Sequence, residues 1–340
     1  MTHFLSSSSA IAISAVLAGA ALIGCTSTDV VEPPAGEANA GKEISLSISA
    51  PEANGATRAD TDHKLRYTAK LFQGDYIKDS FKFLERKEAI PTDGESATIV
   101  FSVPEGTYSV ILFADYIPSN SSPKDNGLYE DRYYDTSAEN ESVTMKAFTT
   151  NNGSTALDYN CINNDNYDAF AAYKVINKTE SKYETSIELS RIVSKVRVVS
   201  ATDVPENTKV SSISFSDFSY IPEYSIASGH AVGHAESGKM NLRNNSLSGM
   251  SKPAENELFY FYSFADGTKD NFLEDIRFNV EFTDNSTRET FVPKGTIQVR
   301  RNYITILKGA FLAEPAPELG DIILNLSSDQ NWENTINSTF

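Results

Sequence analysis

Along most of this chain apolar and polar residues alternate with a period of two, the pattern of strands that bury one face. In the first such run Ile44, Leu46 and Ile48 alternate with Ser45, Ser47 and Ser49. Leu65, Tyr67, Ala69 and Leu71 point one way in KLRYTAKLF, as do Ile99, Phe101 and Val103 in TIVFSVPEG. TYSVILFADY, residues 107 to 116, is nearly continuous in large apolar side chains, which predicts a strand buried on both faces. YETSIELSRIVSKVRVVS reads as one long strand, or two joined by a bulge between Arg191 and Ser194. KVSSISFSDF, ENELFYFYSFA, EDIRFNVEFT, GTIQVR, NYITILKGAFL and GDIILNLS complete the series. Turn formers separate the runs at Pro104-Glu105-Gly106, Asn152-Gly153, Asp266-Gly267 and Thr283-Asp284-Asn285. No long stretch has a period of 3.6, so the chain is expected to be all-β.

Twelve or more short strands overfill a single β-sandwich of about 100 residues, which points to two sandwiches in tandem. The boundary is placed near residue 185, where a new run opens, giving sandwiches over 42–184 and 185–340. Residues 117 to 142, IPSNSSPKDNGLYEDRYYDTSAENES, form a long polar insertion of the kind that is functional or mobile.

Composition narrows the function. An apolar content of 40%, with many Phe and Tyr, supplies enough side chains for a large core. The net charge of −17, without any basic stripe, excludes nucleic acid as a partner. Residues 25 to 41 are small, polar and Pro-containing, as in a flexible tether.

Ahead of that tether, Ala10 to Gly24 is uncharged and too short to span a bilayer comfortably, so residues 1 to 24 read as an export signal. Its end, Leu22-Ile23-Gly24-Cys25, resembles the lipobox of bacterial lipoproteins, which implies a lipid on Cys25. The sequence departs from that pattern in having no Lys or Arg before the apolar run, and a peripheral helix or a plain secretory signal is the other reading. With Cys25 lipidated, Cys161 has no partner for a disulfide and reads as a passive thiol.

Nothing in the sequence signals catalysis, so the protein is not expected to be an enzyme or to need a cofactor. His230 and His234 have i, i+4 spacing with Glu236 nearby, but the Gly and Ser around them favour a loop over the helix that zinc chemistry needs. Asn163, Asn164, Asp165 and Asp168 lack the alternation of a calcium loop and read as a turn. No metal site is expected.

Several phrases stand together in a telling order. DAFAAYKV at 168 to 175 follows an Asn/Asp-rich turn, IELSRIVSKVRVV at 187 to 199 holds an Arg in an apolar strand, and VPKGTIQVRRNYITILKGAFL spans 292 to 312. With the lipobox and Thr57-Arg58-Ala59, the chain resembles the fimbrillin-type lipoprotein pilins of the Bacteroidetes, most specifically in the Arg-Asn-Tyr-(x)3-Leu-x-Gly pattern from Arg301 to Gly309. The resemblance implies two transthyretin-like β-sandwich domains and a place in the outer membrane and then in a surface fimbrium. It also implies lipidation of Cys25, cleavage after Arg58 by a trypsin-like protease to leave Ala59 first, and polymerisation with other pilin subunits by strand exchange.

The residues allow that course. A strand with Ile44, Leu46 and Ile48 on one face is expected to cover an edge groove of the first sandwich, and nine residues at about 3.3 Å each span roughly 30 Å. Cutting at Arg58 leaves it held by noncovalent contacts alone. The matching donor lies within residues 320 to 332, where Ile322, Leu324 and Leu326 share a face behind the spacer AEPAPELG. The other reading of Ile322 to Leu326 is a last strand of the second sandwich. A different class of function is a surface-anchored lipoprotein that binds glycans on Tyr129, Tyr133 and Tyr134 of the long insertion.

Overall fold

A computed structural model of the chain describes residues 42–50, 62–78, 80–91, 96–146, 148–150, 157–159, 161–233, 235–240, 257–269, 271–312, 323–327 and 337–338. The export signal, the tether, Arg58 with Ala59, Ile322 and His234 lie outside these residues.

The first sandwich is made from β1 (Glu43–Ser49), β2 (His63–Gln73), β3 (Lys82–Ala89), β4 (Ser96–Ser102) and β5 (Gly106–Pro118). The long insertion then adds β6 (Tyr134–Asp135) and leads into β7 (Ser142–Met145), and β8 (Phe148–Thr150) pairs with β9 (Leu157–Tyr159) in a separate two-stranded sheet. Next come β10 (Phe170–Lys178), β11 (Lys182–Glu188) and β12 (Ser190–Arg191). One sheet has the order β11-β1-β4 and the other β12-β10-β5-β2-β3. Between them lie Ile44, Leu46 and Ile48 with Ile99, Phe101, Tyr67, Ala69, Leu71, Val110 and Leu112.

The expected edge position of the first strand does not hold. β1 is not at an edge: it pairs antiparallel with β4 and parallel with β11, so it is the middle strand of three. The cause is the parallel crossover to β11, which sequence alternation cannot show, since a period of two is the same for edge and central strands. β11 crosses residue 185 inside the first sandwich, and the passage to the second comes after it, at Leu189 to Ile192.

The second sandwich comprises β13 (Val193–Ser200), β14 (Val210–Tyr220), β15 (Glu223–Ser225), β16 (His230–Val232), β17 (Ala235–Met240), β18 (Glu257–Phe264), β19 (Asn271–Phe272), β20 (Ile276–Phe282), β21 (Thr287–Val292), β22 (Gln298–Val299), β23 (Ile304–Gly309), β24 (Ile323–Ser327) and β25 (Asn337–Ser338). Its main sheets run β18-β13-β23-β24-β25 and β17-β14-β20-β21. Phe215, Phe259 and Phe278 interlock between them, with ring centroids 4.9 and 5.3 Å apart in edge-to-face pairs. Asn285 takes a left-handed φ of +66° in the turn joining β20 to β21, where Asp284 accepts the Ser286 N–H.

A small sheet of order β16-β15-β7-β6 takes strands from both halves: β7, which follows the insertion, pairs with β15, Val143 opposite Tyr224. The described residues of both halves accordingly form one compact unit.

β5 shows why its sequence is unbroken. Val110, Leu112 and Ala114 face β1, while Ile111 and Phe113 face backwards into a second core with Tyr133, Tyr134, Val143, Met145 and the Phe-rich second sandwich. Both faces of that sheet are covered, as the near-continuous apolar run predicts.

Candidate functional site

The site with the clearest chemistry is the groove that β1 fills. Ile44 lies beside Phe101 and Tyr183, Leu46 beside Ile99 and Thr185, and Ile48 beside Ala97 and Ile187. All three side chains have no solvent exposure. The opposite face of β1 carries Ser45, Ser47 and Ser49, turned toward solvent. Backbone bonds extend the pairing past the strand ends: Val103 N–H donates to Lys42 O, Glu43 N–H to Ser181 O and Leu189 N–H to Ser49 O. β1 is therefore bound by two ladders and three apolar side chains, and its only covalent tie to β2 is the segment that contains Arg58.

At the other end of the chain, β24 runs antiparallel to β23, with Leu324 opposite Leu307 and Leu326 opposite Thr305. In this state residues 323 to 327 belong to the chain's own second sandwich.

Behind the first sandwich, the long insertion is fastened down. The rear positions of β2 are Lys64, Arg66, Thr68 and Lys70, alternate with the core positions Leu65 to Leu71. Arg66 makes two bonds of 2.9 Å to Asp115, directly across on β5, and reaches Asp131 of the insertion at 2.8 Å and Glu88 at 3.3 Å. Lys64 donates to Ser121 O, Lys70 to Ala138 O and Asn140 O, and Arg86 to Thr136 O. Burial would lower the Arg66 pKa, but Asp115, Glu88 and Asp131 raise it above the usual range. Burial pushes the Asp115 carboxyl up to about 6, the pull of Arg66 offsetting only part of the desolvation. The Lys70 ammonium falls to about 8, through burial and then the nearby Arg86. Asp131 is also raised by burial, yet Arg66, the Thr136 N–H and Arg86 together hold it below the ordinary carboxylate range.

The tyrosines expected to form a sugar-stacking platform do not form one. Tyr134 is fully buried, its hydroxyl donating to Tyr167 O, and Tyr133 is buried with its hydroxyl 2.6 Å from His63 Nε2. Tyr129 is half-buried with Lys64 over its ring. The polar residues around these rings hid their inward course, because the sheet they cover is itself charged on its rear face.

The Asn/Asp-rich turn is structural. Asn164 caps a short 3-10 turn, Asp165 bonds Lys195 and Tyr262, and Asp168 takes both Nε and Nη2 of Arg191, at 2.8 and 3.0 Å. Arg191 Nη1 also donates to Asn302 Oδ1, and Asn302 has a left-handed φ of +63°. The Arg in an apolar strand and the Arg-Asn-Tyr pattern are thus two ends of one buried joint between the sandwiches. Alternation alone could not pair them. His230 lies on a strand, Nδ1 3.4 Å from Asp266 Oδ2, and among the described residues no group of His, Cys, Asp or Glu is arranged to hold a metal ion. Cys161 is buried, and burial pushes its thiol far above the usual range. No helix among the described residues is long and apolar enough to cross a membrane.

A family model described as a family of unknown function, DUF6562, matches residues 36–339. The chain belongs to this family. No curated protein matches the DUF6562 chain in sequence. Among solved structures it is similar to a fimbrial assembly protein from Parabacteroides distasonis, at 13% identity and a TM-score of 0.40, covering 87% of this chain and 98% of that one. It is also similar to the C-terminally truncated tip fimbrial protein Mfa3 from Porphyromonas gingivalis, at 11% identity and a TM-score of 0.41, covering 84% and 99%.

Proposed function

We propose that this DUF6562 protein is a surface-exposed fimbrial subunit that is exported as a lipoprotein through Cys25 and cut after Arg58. It then joins other subunits when an extended segment replaces β1. The observation that carries this reading is β1 itself: a central strand, held on both sides, whose only link to β2 is the segment with a single arginine. Cutting that segment makes a covalent strand into a bound peptide. Its departure bares unpaired N–H and C=O groups on β4 and β11 beside three empty apolar pockets, a site for strand addition. The serine face of β1 suits the same course, because a strand that is to leave carries no second apolar face into water. For Ile322, Leu324 and Leu326 to serve as donor, β24 has to leave β23 and pair with a neighbour.

Intact mass and N-terminal sequencing of the protein recovered from the cell surface test this. A chain that begins at Ala59 and runs as high-molecular-weight ladders supports the reading. Recovery of only a monomer that still begins at Cys25 refutes it.

A further inference from the structure

We infer that the insertion and the second sandwich act as a rear brace, which keeps the β10-β5-β2 sheet folded when β1 is absent and so holds the groove open for an incoming strand. This rests on the proposed departure of β1, but its test does not need the cleavage.

In an ordinary sandwich a sheet has one buried face, and stripping the opposite layer unfolds it. Here the loss of Ile44, Leu46 and Ile48 empties only the forward core, where Val110, Leu112 and Ala114 of β5 look toward β1. The rear face stays packed by other elements. Phe113 meets Tyr134 with ring centroids 5.3 Å apart, and Ile111 and Phe72 lie in the same rear core. The polar part of that face is held by Arg66 to Asp131 and by Lys64, Lys70 and Arg86 to backbone carbonyls of the insertion.

Tyr134 is where these parts converge. Its ring touches Phe113 of the first sandwich, Tyr167 of the connecting turn and Phe264 of the second sandwich, at centroid distances of 5.3, 5.9 and 5.6 Å. Its hydroxyl donates to Tyr167 O, and the Tyr167 hydroxyl donates to Lys146 O. The composite sheet, with β7 paired to β15, ties the insertion to the second half. Protection of β5 should therefore depend on Tyr134 far more once β1 is gone than while it is present.

Hydrogen exchange on the full chain tests this. Ile44→Asp, Leu46→Pro and Ile48→Asp together undock β1 without cleavage, since a proline and two charges cannot occupy that ladder and core. We expect amides of Val110 to Ala114 to stay within about tenfold of the wild-type exchange rate in this triple variant. Adding Tyr134→Ala should speed them by more than about 100-fold, whereas Tyr134→Ala alone should change them by less than about tenfold. If the alanine variant does not fold, Tyr134→Phe, which drops only the bond to Tyr167 O, should speed exchange by about tenfold in the triple background. Exchange of β5 at the unfolded rate in the triple variant overturns the brace. So does an unchanged rate when either Tyr134 substitution is added. Failure of the proposed fimbrial role would appear instead as a chain never cut at Arg58, with the brace intact in this experiment.

Discussion

Leu46→Ala should weaken the hold on β1 without changing its backbone pairing. Leu46 has no solvent exposure and lies between Ile99 and Thr185 in the middle of the strand. Truncating a fully buried leucine costs about 2–5 kcal/mol, the lost transfer energy plus the cavity left behind. At about 1.4 kcal/mol per tenfold, this is a roughly 30-fold to several-thousand-fold weaker grip on the freed peptide. Ser47→Ala, on the solvent face of the same strand, should stay within about 0.5 kcal/mol. The assay is dissociation of a fluorescent β1 peptide from protein cut once after Arg58, followed by anisotropy. The contrast between adjacent residues matters more than either value, because both variants place alanine in the same two backbone ladders. Equal dissociation rates for the two variants would refute the claim that the inward side chains hold the strand.

Arg66→Met should destabilise the fold by about 3–5 kcal/mol in urea, because it leaves Asp115, Glu88 and Asp131 facing one another without their common cation. The Asp115 carboxyl, raised to about 6, binds a proton more tightly in the folded state than in the unfolded one. Lowering the pH from 7 to 4 should therefore add stability through this group. The urea midpoint of wild type should rise relative to Asp115→Asn over that range. Gly74→Ala should lower stability by more than about 1 kcal/mol, since Gly74 has φ +98° and an added Cβ would sit 2.8 Å from Ser80 O. Thermal melts read that loss. Cys161 should resist a thiol reagent in native protein and react fully in denaturant, because its buried thiol stays protonated.

The all-β class was legible because alternation and turn residues are local properties. The double burial of β5 was also legible, since a strand packed on both faces must lose its polar alternation. The place of β1 was not. Its partner β11 lies far along the chain, and nothing in EISLSIS distinguishes a strand with one neighbour from a strand with two. The insertion was misleading for a related reason. Its charged and tyrosine-rich sequence looks solvent-facing, yet it covers a sheet whose own rear positions are Lys64, Arg66 and Lys70, so polar residues meet polar residues out of water. The Arg191, Asp168 and Asn302 joint left a better trace, an arginine inside an apolar strand, but its carboxylate could only be found in three dimensions.

The parallel pairing of β1 also has a kinetic consequence. Glu43 lies opposite Lys182, and Ser49 opposite Glu188, more than a hundred positions later. While the chain is being synthesised from its N-terminus, β1 can meet β4 but has no second neighbour until β11 has emerged. Pairings of high sequence separation close late, because the loop entropy is lost before the contact forms. The first of these strands to emerge is thus among the last to be locked in place. A segment that enters the fold late, by closing a gap in a sheet already formed, can leave by the same step in reverse.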